Sequence, residues 1–331
     1  MSSTLRAVVC RAHGGPSVLR IENATPAALA KGMVRIAVKS AGLNFADALV
    51  VSGTYQIKPP FPFTPGLEAA GVVRDVAADV NGIKVGDRVM AAMGMGAFAE
   101  EIVARAIDVF PVPKQCDMTP AGGFPIVYGT AHGALNWRGQ LKAGETLLVL
   151  GAGGGVGLAA VEIGKAMGAT VIAAARGKDK LAAAEDHGAD HVIDYVAEDL
   201  RQRVKQIIGE RGVDVVFDPV GGDAFDAALR TIAWQGRMLV IGFASGRMPQ
   251  IPANILLVKN VSVIGVFWGG YRQKAPKIVR QSFEQIIEWW REGKLKPHVS
   301  HCFDLADVAE AMNMLLSRRT TGKIVLTMNS G

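Results

Sequence analysis

The stretch LVLGAGGGVGLAA, Leu148 to Ala160, constrains what this chain can fold into more than any other. It sets a glycine-rich turn between a short apolar strand, TLLVL from Thr146, and a run of small and apolar residues at helical spacing, Val156 to Met167. Strand, glycine turn and helix in that order are the setting a dinucleotide-binding fingerprint needs. The G-x-G-x-x-G spacing fails when started on Gly151 or Gly153. Read from Ala152 it fits as A-x-G-x-x-G, with Gly154 and Gly157 in the second and third glycine places. The second place lets backbone approach a pyrophosphate, and the third lets helix pack on strand. Gly154, Gly155, Val156 and Gly157 then form a helix start that offers N–H groups and a positive dipole end to phosphate.

The region around this turn alternates strand and helix. TVIAAA is followed by a helix in KDKLAAAEDHG. HVIDY, the helix Asp199 to Ile208, VDVVFD, the helix Ala224 to Ile232, RMLVIGF and the apolar strand NVSVIGVFW come next. Such alternation predicts an α/β fold with a parallel, doubly wound sheet. An NAD site usually has an acid at the end of its second strand, on the ribose hydroxyls. Here TVIAAA ends in Ala174 and Ala175 and runs into Arg176, Gly177 and Lys178. Two cations and no acid favour a 2′-phosphate, hence NADP(H). Asp179 is expected to cap the next helix.

The first third reads differently. Short β-branched runs (MVRIAVKSAG, EAAGVVRDVA, DRVMAAM) are separated by the turns YQIKPPFPFTPG and VNGIKVGDRV, predicting a β-rich domain. After Gly269 come a helix from about Ala275 to Arg291, a strand in HVSHCFDL, a helix in DVAEAMNMLLSRR and a last strand, GKIVLTM. The expected division is 1–126, 127–269 and a return segment 270–331 that closes on the first domain.

Composition narrows the function classes. At 331 residues and 50% hydrophobic, the chain can bury two full cores. No apolar run approaches the roughly 18–20 residues of a membrane span, and the N-terminus shows no secretory h-region. Cys10, Cys116 and Cys302 lie far apart, with no C-x-x-C pair, which fits a reducing, cytoplasmic setting. The net charge of +6 comes from scattered residues, with no basic tract and no RNA-binding aromatic motif. No G-x-S-x-G elbow and no Cys/His nucleophile signature is present.

Several segments in combination carry a resemblance: AGLNFADAL, SGTY, PGLEAAGVV, VGDRV, PIVYGTAHGAL, GAGGGVGLAA, GADHVIDY, VDVVFDPVGG, GRMLVIGFASG, IPANILL, GVFWGG and TGKIVL. Over nearly its whole length the sequence resembles the zinc-independent medium-chain reductases of the NADPH:quinone oxidoreductase (zeta-crystallin-like) type. The resemblance implies a GroES-like β-rich catalytic domain, made from both chain ends, around a central Rossmann domain. In the zinc alcohol dehydrogenases, relatives with different chemistry, a cysteine ligand corresponds to Asn44, and the histidine of Gly-His-Glu corresponds to Leu67. Asn44 and Leu67 cannot replace the thiolate and imidazole that zinc requires. Asp47 and Glu68 remain and are expected to bond to backbone or to a cationic partner. The four-cysteine structural lobe is missing too.

Without a Lewis acid, an electron-poor acceptor is the expected substrate, namely a quinone or a related enone. The resemblance implies that Asn44 lies beside the nicotinamide and donates a hydrogen bond to the acceptor carbonyl, and that Tyr55 lines the substrate cleft. Thr130 is expected on the nicotinamide side, with Tyr128 shaping the same wall. Lys178 and Tyr195 are expected to hold the 2′-phosphate and ribose. Phe243, Ser245, Phe267 and Trp268 are expected to approach the cofactor or cleft, and Lys323 to reach a phosphate. His132 is expected to be structural. The strand NVSVIGVFW is expected to pair with its copy in a homodimer. Two alternatives stand beside quinone reduction. One is an NADPH-dependent enoyl or alkenal reductase. The other, of a different class, is a low-turnover NADPH-binding protein acting on nucleic acid or sensing redox state.

Overall fold

A computed structural model describes residues 4–328. The chain forms two compact units. The first holds the described residues up to Ile126 together with Pro276–Phe283 and those from Pro297 onward; the second holds Val127–Ala275 and Glu284–Lys296. The expected return segment is therefore divided: 270–275 and 284–296 belong with the second unit.

The second unit is built on a six-stranded parallel sheet. In spatial order its strands are His191–Asp194, Thr170–Ala175, Thr146–Leu150, Val213–Asp218, Ile232–Val240 and Ser262–Gly265. Sequence order along the sheet is thus 3-2-1-4-5-6, the doubly wound arrangement, with its switch point beside Thr146–Leu150. TLLVL is buried at all five positions, as a central parallel strand covered on both faces should be. The connecting helices include Gly155–Ala166, Lys178–Asp186, Leu200–Ile208 and Gly222–Thr231. Leu148, Ile172, Ile193, Phe225 and Met238 pack together in the core. The last helix before Ile232–Val240 ends at Thr231, and the strand starts at once, with Gln235 at φ 62° marking an irregular turn in it.

The first unit contains a mostly antiparallel sheet. Its strands run Val299–Asp304, Lys323–Thr327, Met33–Leu43, Glu68–Val76, Arg88–Ala92 and Val109–Pro111, and Glu101–Arg105 also pairs with Met33–Leu43. The eleven-residue strand Met33–Leu43 is the organiser. Its early residues pair with Glu101–Arg105, its late residues pair with Lys323–Thr327, and Glu68–Val76 lies along its other side. The register Ile324↔Leu43 brings Lys323 beside the end of that strand, although the two lie at opposite ends of the chain. Alternating Val34, Ile36 and Val38 point into a core shared with Phe98, Ile102 and Leu326.

At Gly42 the packing leaves no room for a side chain. A Cβ there would lie 2.4 Å from Glu68 Oε1, 2.6 Å from Gly123 Cα and 2.7 Å from Gly122 O. Two of these neighbours are backbone and cannot swing away. Gly42→Ala should therefore cost about 1–3 kcal/mol, as overpacked cores do. Gly15, at φ −73° with nothing within 4 Å of a built Cβ, is the control, and Gly15→Ala should stay within about 0.5 kcal/mol. Urea unfolding midpoints at constant m-value check both.

Candidate functional site

In the second unit the glycine turn closes the carboxyl end of Thr146–Leu150. Gly151 adopts φ +61°, and Gly154 N–H donates to Gly151 O at 3.0 Å. Leu158 N–H then donates to Gly154 O at 2.8 Å, opening the helix Gly155–Ala166. The glycines differ in what demands them. A Cβ on Gly157 would lie 2.2 Å from Gly151 O and 2.8 Å from Ala152 Cα, so helix and turn meet there without space for a side chain. A Cβ on Gly154 would meet only Gly151 O, at 3.5 Å, and its backbone is extended (φ −86°, ψ 169°). Nothing among the described residues requires glycine at 154. Its bare backbone, at a helix N-terminus that no side chain caps, fits an approaching pyrophosphate. Gly155 and Val156 form the first turn with it.

Two further loops sit at neighbouring strand ends in the same unit. A Cβ on Gly151 would be 2.9 Å from Val220 Cγ2, which places the 219–222 turn against the glycine turn. Ala244 N–H and Ser245 N–H donate to Pro219 O and Val220 O at 3.0 and 2.8 Å. Phe243 and Ser245 thus join the row of carboxyl-end loops where doubly wound sheets bind ligands. Both are exposed, and Ser245 Oγ pairs with the backbone of Arg247. Asp218, fully buried, anchors this row by accepting the N–H groups of Val220 and Gly221 at 2.7 and 2.9 Å, and burial pushes its carboxyl up to about 6. Sequence reading did not single it out.

Arg176 and Lys178 are exposed after the second strand, and Tyr195 is half-buried against the core. The helix cap between the two cations is Gly177, at φ +85°, so Asp179 is not the cap; it stands in the first turn, where the helix dipole favours an acid. Asp194, which pairs in register with Ala175, was also missed. Its Oδ2 accepts Gly177 N–H at 3.1 Å. The Val196 N–H above all, with those of Gly177 and Ala197 and the Arg176 charge, holds its carboxyl below the usual range.

The aromatic and polar residues of this unit differ in how they are placed. Trp268 is 4% exposed and seated on a helix: a Cβ on Gly129 would lie 2.6 Å from its ring and one on Gly133 3.2 Å. It packs on the helix Phe124–His132 and on Gly133 just after it, where the two glycines leave room for its ring. Phe267, by contrast, is 49% exposed, over Gly269 and Gly270. Thr130 is half-buried in that same helix. Tyr128 turns to the interior and donates to Glu162 Oε2 at 2.6 Å, while Glu162 Oε1 pairs with His187 Nδ1 at 2.6 Å. Burial pushes His132 down to about 4, and it packs edge-on to Trp137 and Trp289, so it is neutral.

The first unit holds a second cluster. Asn44 precedes the helix Phe45–Val51 and forms a capping box with Asp47, whose Oδ2 accepts Asn44 N–H at 2.8 Å. Lys323 Nζ donates to Leu43 O, Asn44 Oδ1 and Glu68 Oε1 at 2.8, 2.8 and 2.7 Å. Glu68 Oε1 also accepts from Asn44 Nδ2 at 2.8 Å, and its Oε2 accepts Ile126 N–H at 2.7 Å. Lys323 is 6% exposed and Glu68 fully buried. The expectation that Lys323 reaches a phosphate is corrected: a buried ammonium must satisfy its hydrogens locally, and all three are committed. Asn44, expected to donate to a carbonyl, instead directs its amide hydrogens to Glu68 and, more weakly at 3.3 Å, to Gly42 O. Glu68 does bond to backbone and a cation, and Asp47 to backbone, as expected. Tyr55 packs against the core of this unit. Burial first, and then the Asp47 charge, push its hydroxyl pKa up, so it remains a hydrogen-bond donor. Among the described residues no group of three or more His, Cys, Asp and Glu side chains is placed to hold a metal ion.

Comparison with known proteins agrees with both units. Residues 30–114 match the alcohol dehydrogenase GroES-like domain, and residues 155–290 match the zinc-binding dehydrogenase family model. The chain is 42% identical to a quinone oxidoreductase-like protein 2 homolog of Nematostella vectensis, over 97% of this chain and 88% of that protein. It is 38% identical to quinone oxidoreductase-like protein 2 of Bos taurus, over 98% and 92%. Among solved structures, the quinone oxidoreductase of Escherichia coli complexed with NADPH superposes with a TM-score of 0.91 at 31% identity, covering 97% of this chain and 99% of that one.

Lys323→Met should leave Glu68 as an uncompensated buried charge and destabilise the fold by about 3–5 kcal/mol. The double variant Lys323→Met with Glu68→Gln should recover most of that loss. Chemical denaturation of the two variants against wild type checks the pair.

Proposed function

The chain belongs to the quinone oxidoreductase family of the medium-chain dehydrogenases/reductases, and from that membership we propose that it uses NADPH to reduce a quinone or related conjugated carbonyl without zinc. The observation that carries this reading is the Lys323 ammonium, held between Asn44 and Glu68. Asn44 stands where the zinc alcohol dehydrogenases have a cysteine ligand. A fixed organic cation in that cluster leaves carbonyl polarisation to hydrogen bonds, and an electron-poor acceptor is the substrate class that needs no more.

Gly154, Gly155, Val156 and Gly157 would receive the pyrophosphate, Arg176 and Lys178 the 2′-phosphate, and Tyr195 the adenosine ribose. Thr130, Phe243 and Ser245 would flank the remainder. NADPH, when bound, supplies the hydride. Tyr55 would orient the acceptor by donating to its oxygen, and Asn44, rigidly held by Lys323 and Glu68, would shape the wall beside it. Ser262–Gly265 is the edge of the six-stranded sheet, paired on one side only, with Leu257 and Val258 79% and 76% exposed just before it. An unprotected edge next to exposed apolar residues favours a second copy of this chain as its partner. No helix among the described residues is long and apolar enough to cross a membrane, and the three cysteines are free, which supports a cytoplasmic setting.

Purified protein should oxidise NADPH with quinones in a panel that also contains enals and enoyl thioesters. Preference for the latter two would make it an enone reductase. Tight NADPH binding with no turnover on any acceptor would overturn the enzyme reading. On the cofactor side, Lys178→Ala should weaken NADPH roughly tenfold or more and NADH little, since one charge-assisted hydrogen bond is worth about 1.5–3 kcal/mol. Gly154→Ala should weaken both cofactors while leaving the unfolding midpoint unchanged. Fluorescence titration with each nucleotide reads these effects.

A further inference from the structure

Arg176, Lys178 and Tyr195, assigned above to the adenosine end of the cofactor, sit on two neighbouring strand ends of the second unit. Arg176 and Lys178 follow the strand Thr170–Ala175, and Tyr195 follows the strand His191–Asp194. The two strands pair in parallel as far as Ala175↔Asp194, so the two turns leave the sheet side by side. Packing does not hold the first of them. Gly177, between the two cations, stands at φ +85° and ψ 154°, and a Cβ built on it meets nothing within 4 Å. The helix Lys178–Asp186 that starts there has no side-chain cap from this glycine, and Arg176 and Lys178 are both exposed. Glycine has wide backbone freedom, so a turn built on it needs a hold from outside.

One carboxylate supplies that hold. Asp194 Oδ2 accepts Gly177 N–H at 3.1 Å, and its Oδ1 accepts Val196 N–H at 3.1 Å. The second bond closes the turn that an aspartate makes with its own backbone two residues on, and it encloses Tyr195. Asp194 O tightens the same turn by accepting Ala197 N–H and Glu198 N–H at 3.0 and 2.8 Å, and Asp194 N–H donates to Glu198 Oε1 at 3.1 Å. The two oxygens of one side chain therefore grip different turns. Oδ2 holds the turn with the two cations, and Oδ1 holds the turn with the tyrosine. The Val196 N–H above all keeps the carboxyl below its usual range, so Asp194 is an anion at neutral pH.

We propose that Asp194 is the positioning residue for cofactor choice: by joining these two turns it holds Arg176 and Lys178 where one 2′-phosphate meets both, and so sets the preference for NADPH over NADH. The proposal rests on the cofactor placement in the reading above. Asp194 makes no contact with the phosphate in this role. As an anion it opposes the phosphate, and deleting its charge would by itself tighten NADPH. Its contribution is geometric, because a charge-assisted hydrogen bond to phosphate depends on the direction of the donor as well as on its charge. The sign of the effect therefore separates position from charge.

Asp194→Ala removes both holds. Calorimetric titration with NADPH and NADH, and with 2′,5′-ADP and AMP, which carry the adenosine end alone, reads the result. The NADPH-to-NADH affinity ratio should fall by about threefold to tenfold, the range expected for one hydrogen bond, and the 2′,5′-ADP-to-AMP ratio should fall with it. A residue that only supported the fold would weaken the nucleotides alike and leave both ratios unchanged. Lys178→Ala made in the Asp194→Ala background should lower the ratio less than it does in wild type, since a residue and the group that positions it are not additive. Asp194→Asn keeps one acceptor oxygen and the shape of the side chain, so its ratio should fall by less than that of Asp194→Ala; it carries the test should the alanine variant not fold. An unchanged or raised ratio in the folded variant, with Lys178→Ala still selective against NADPH, overturns the inference alone. Equal loss of NADPH and NADH in Lys178→Ala overturns the 2′-phosphate placement and the inference with it.

Discussion

The first unit depends on satisfying one buried ammonium. Lys323 lies at the start of the last strand, and its three acceptors come from the end of Met33–Leu43, the head of the following helix and the start of Glu68–Val76. Each of those elements is placed by the others. The antiparallel register Ile324↔Leu43 delivers the lysine, the capping box sets Asn44, and the pairing of Glu68 with Ala92 fixes the carboxylate. A misplacement of any one would strand a charge in the interior, where the penalty is several kcal/mol. The charge network therefore specifies the fold of this unit as much as it is held by it. It also explains why Gly42 has no room for a methyl group: the Glu68 carboxylate and the backbone of Gly122 and Gly123 converge on that point.

The two units were unequally legible in sequence. The parallel sheet was readable because its signals are local: apolar runs of five or six residues, helices at 3.6-residue spacing, and a glycine turn whose register could be tested by counting. The strands TLLVL, TVIAAA and VDVVFD lie where their composition put them. The residues that escaped notice act through tertiary placement. Asp218 matters because the chain folds back so that its carboxylate meets the N–H groups of the next turn. Asp194 matters because parallel pairing sets it beside Ala175. Nothing in the neighbourhood of either residue in sequence announces that.

Lys323, Asn44 and Trp268 depend on tertiary placement in the same way. Lys323 and Asn44 were expected to face ligand, and their hydrogen bonds go first to each other and to Glu68. The partners are 255 and 279 residues from Lys323 along the chain, so no local pattern carries the pairing. Trp268 reads as an aromatic candidate, yet its ring fills a socket made by Gly129 and Gly133. In each case burial set the outcome: a buried charge must find complementary atoms, and a buried ring must find space, before either can serve a ligand.

The glycines show how structural and functional demands can be separated in a motif where both are expected. Gly157 is required by the fold, because a methyl group there would overlap the backbone of Gly151 and Ala152. Gly154 is under no such demand; its backbone is extended and its surroundings are open. What a side chain at 154 would obstruct is the space before the helix N-terminus, where the N–H groups of the first turn and the dipole favour an anion. A fingerprint that looked irregular as a string of letters therefore divides cleanly by mechanism, with one glycine holding helix against turn and another keeping the approach to phosphate clear.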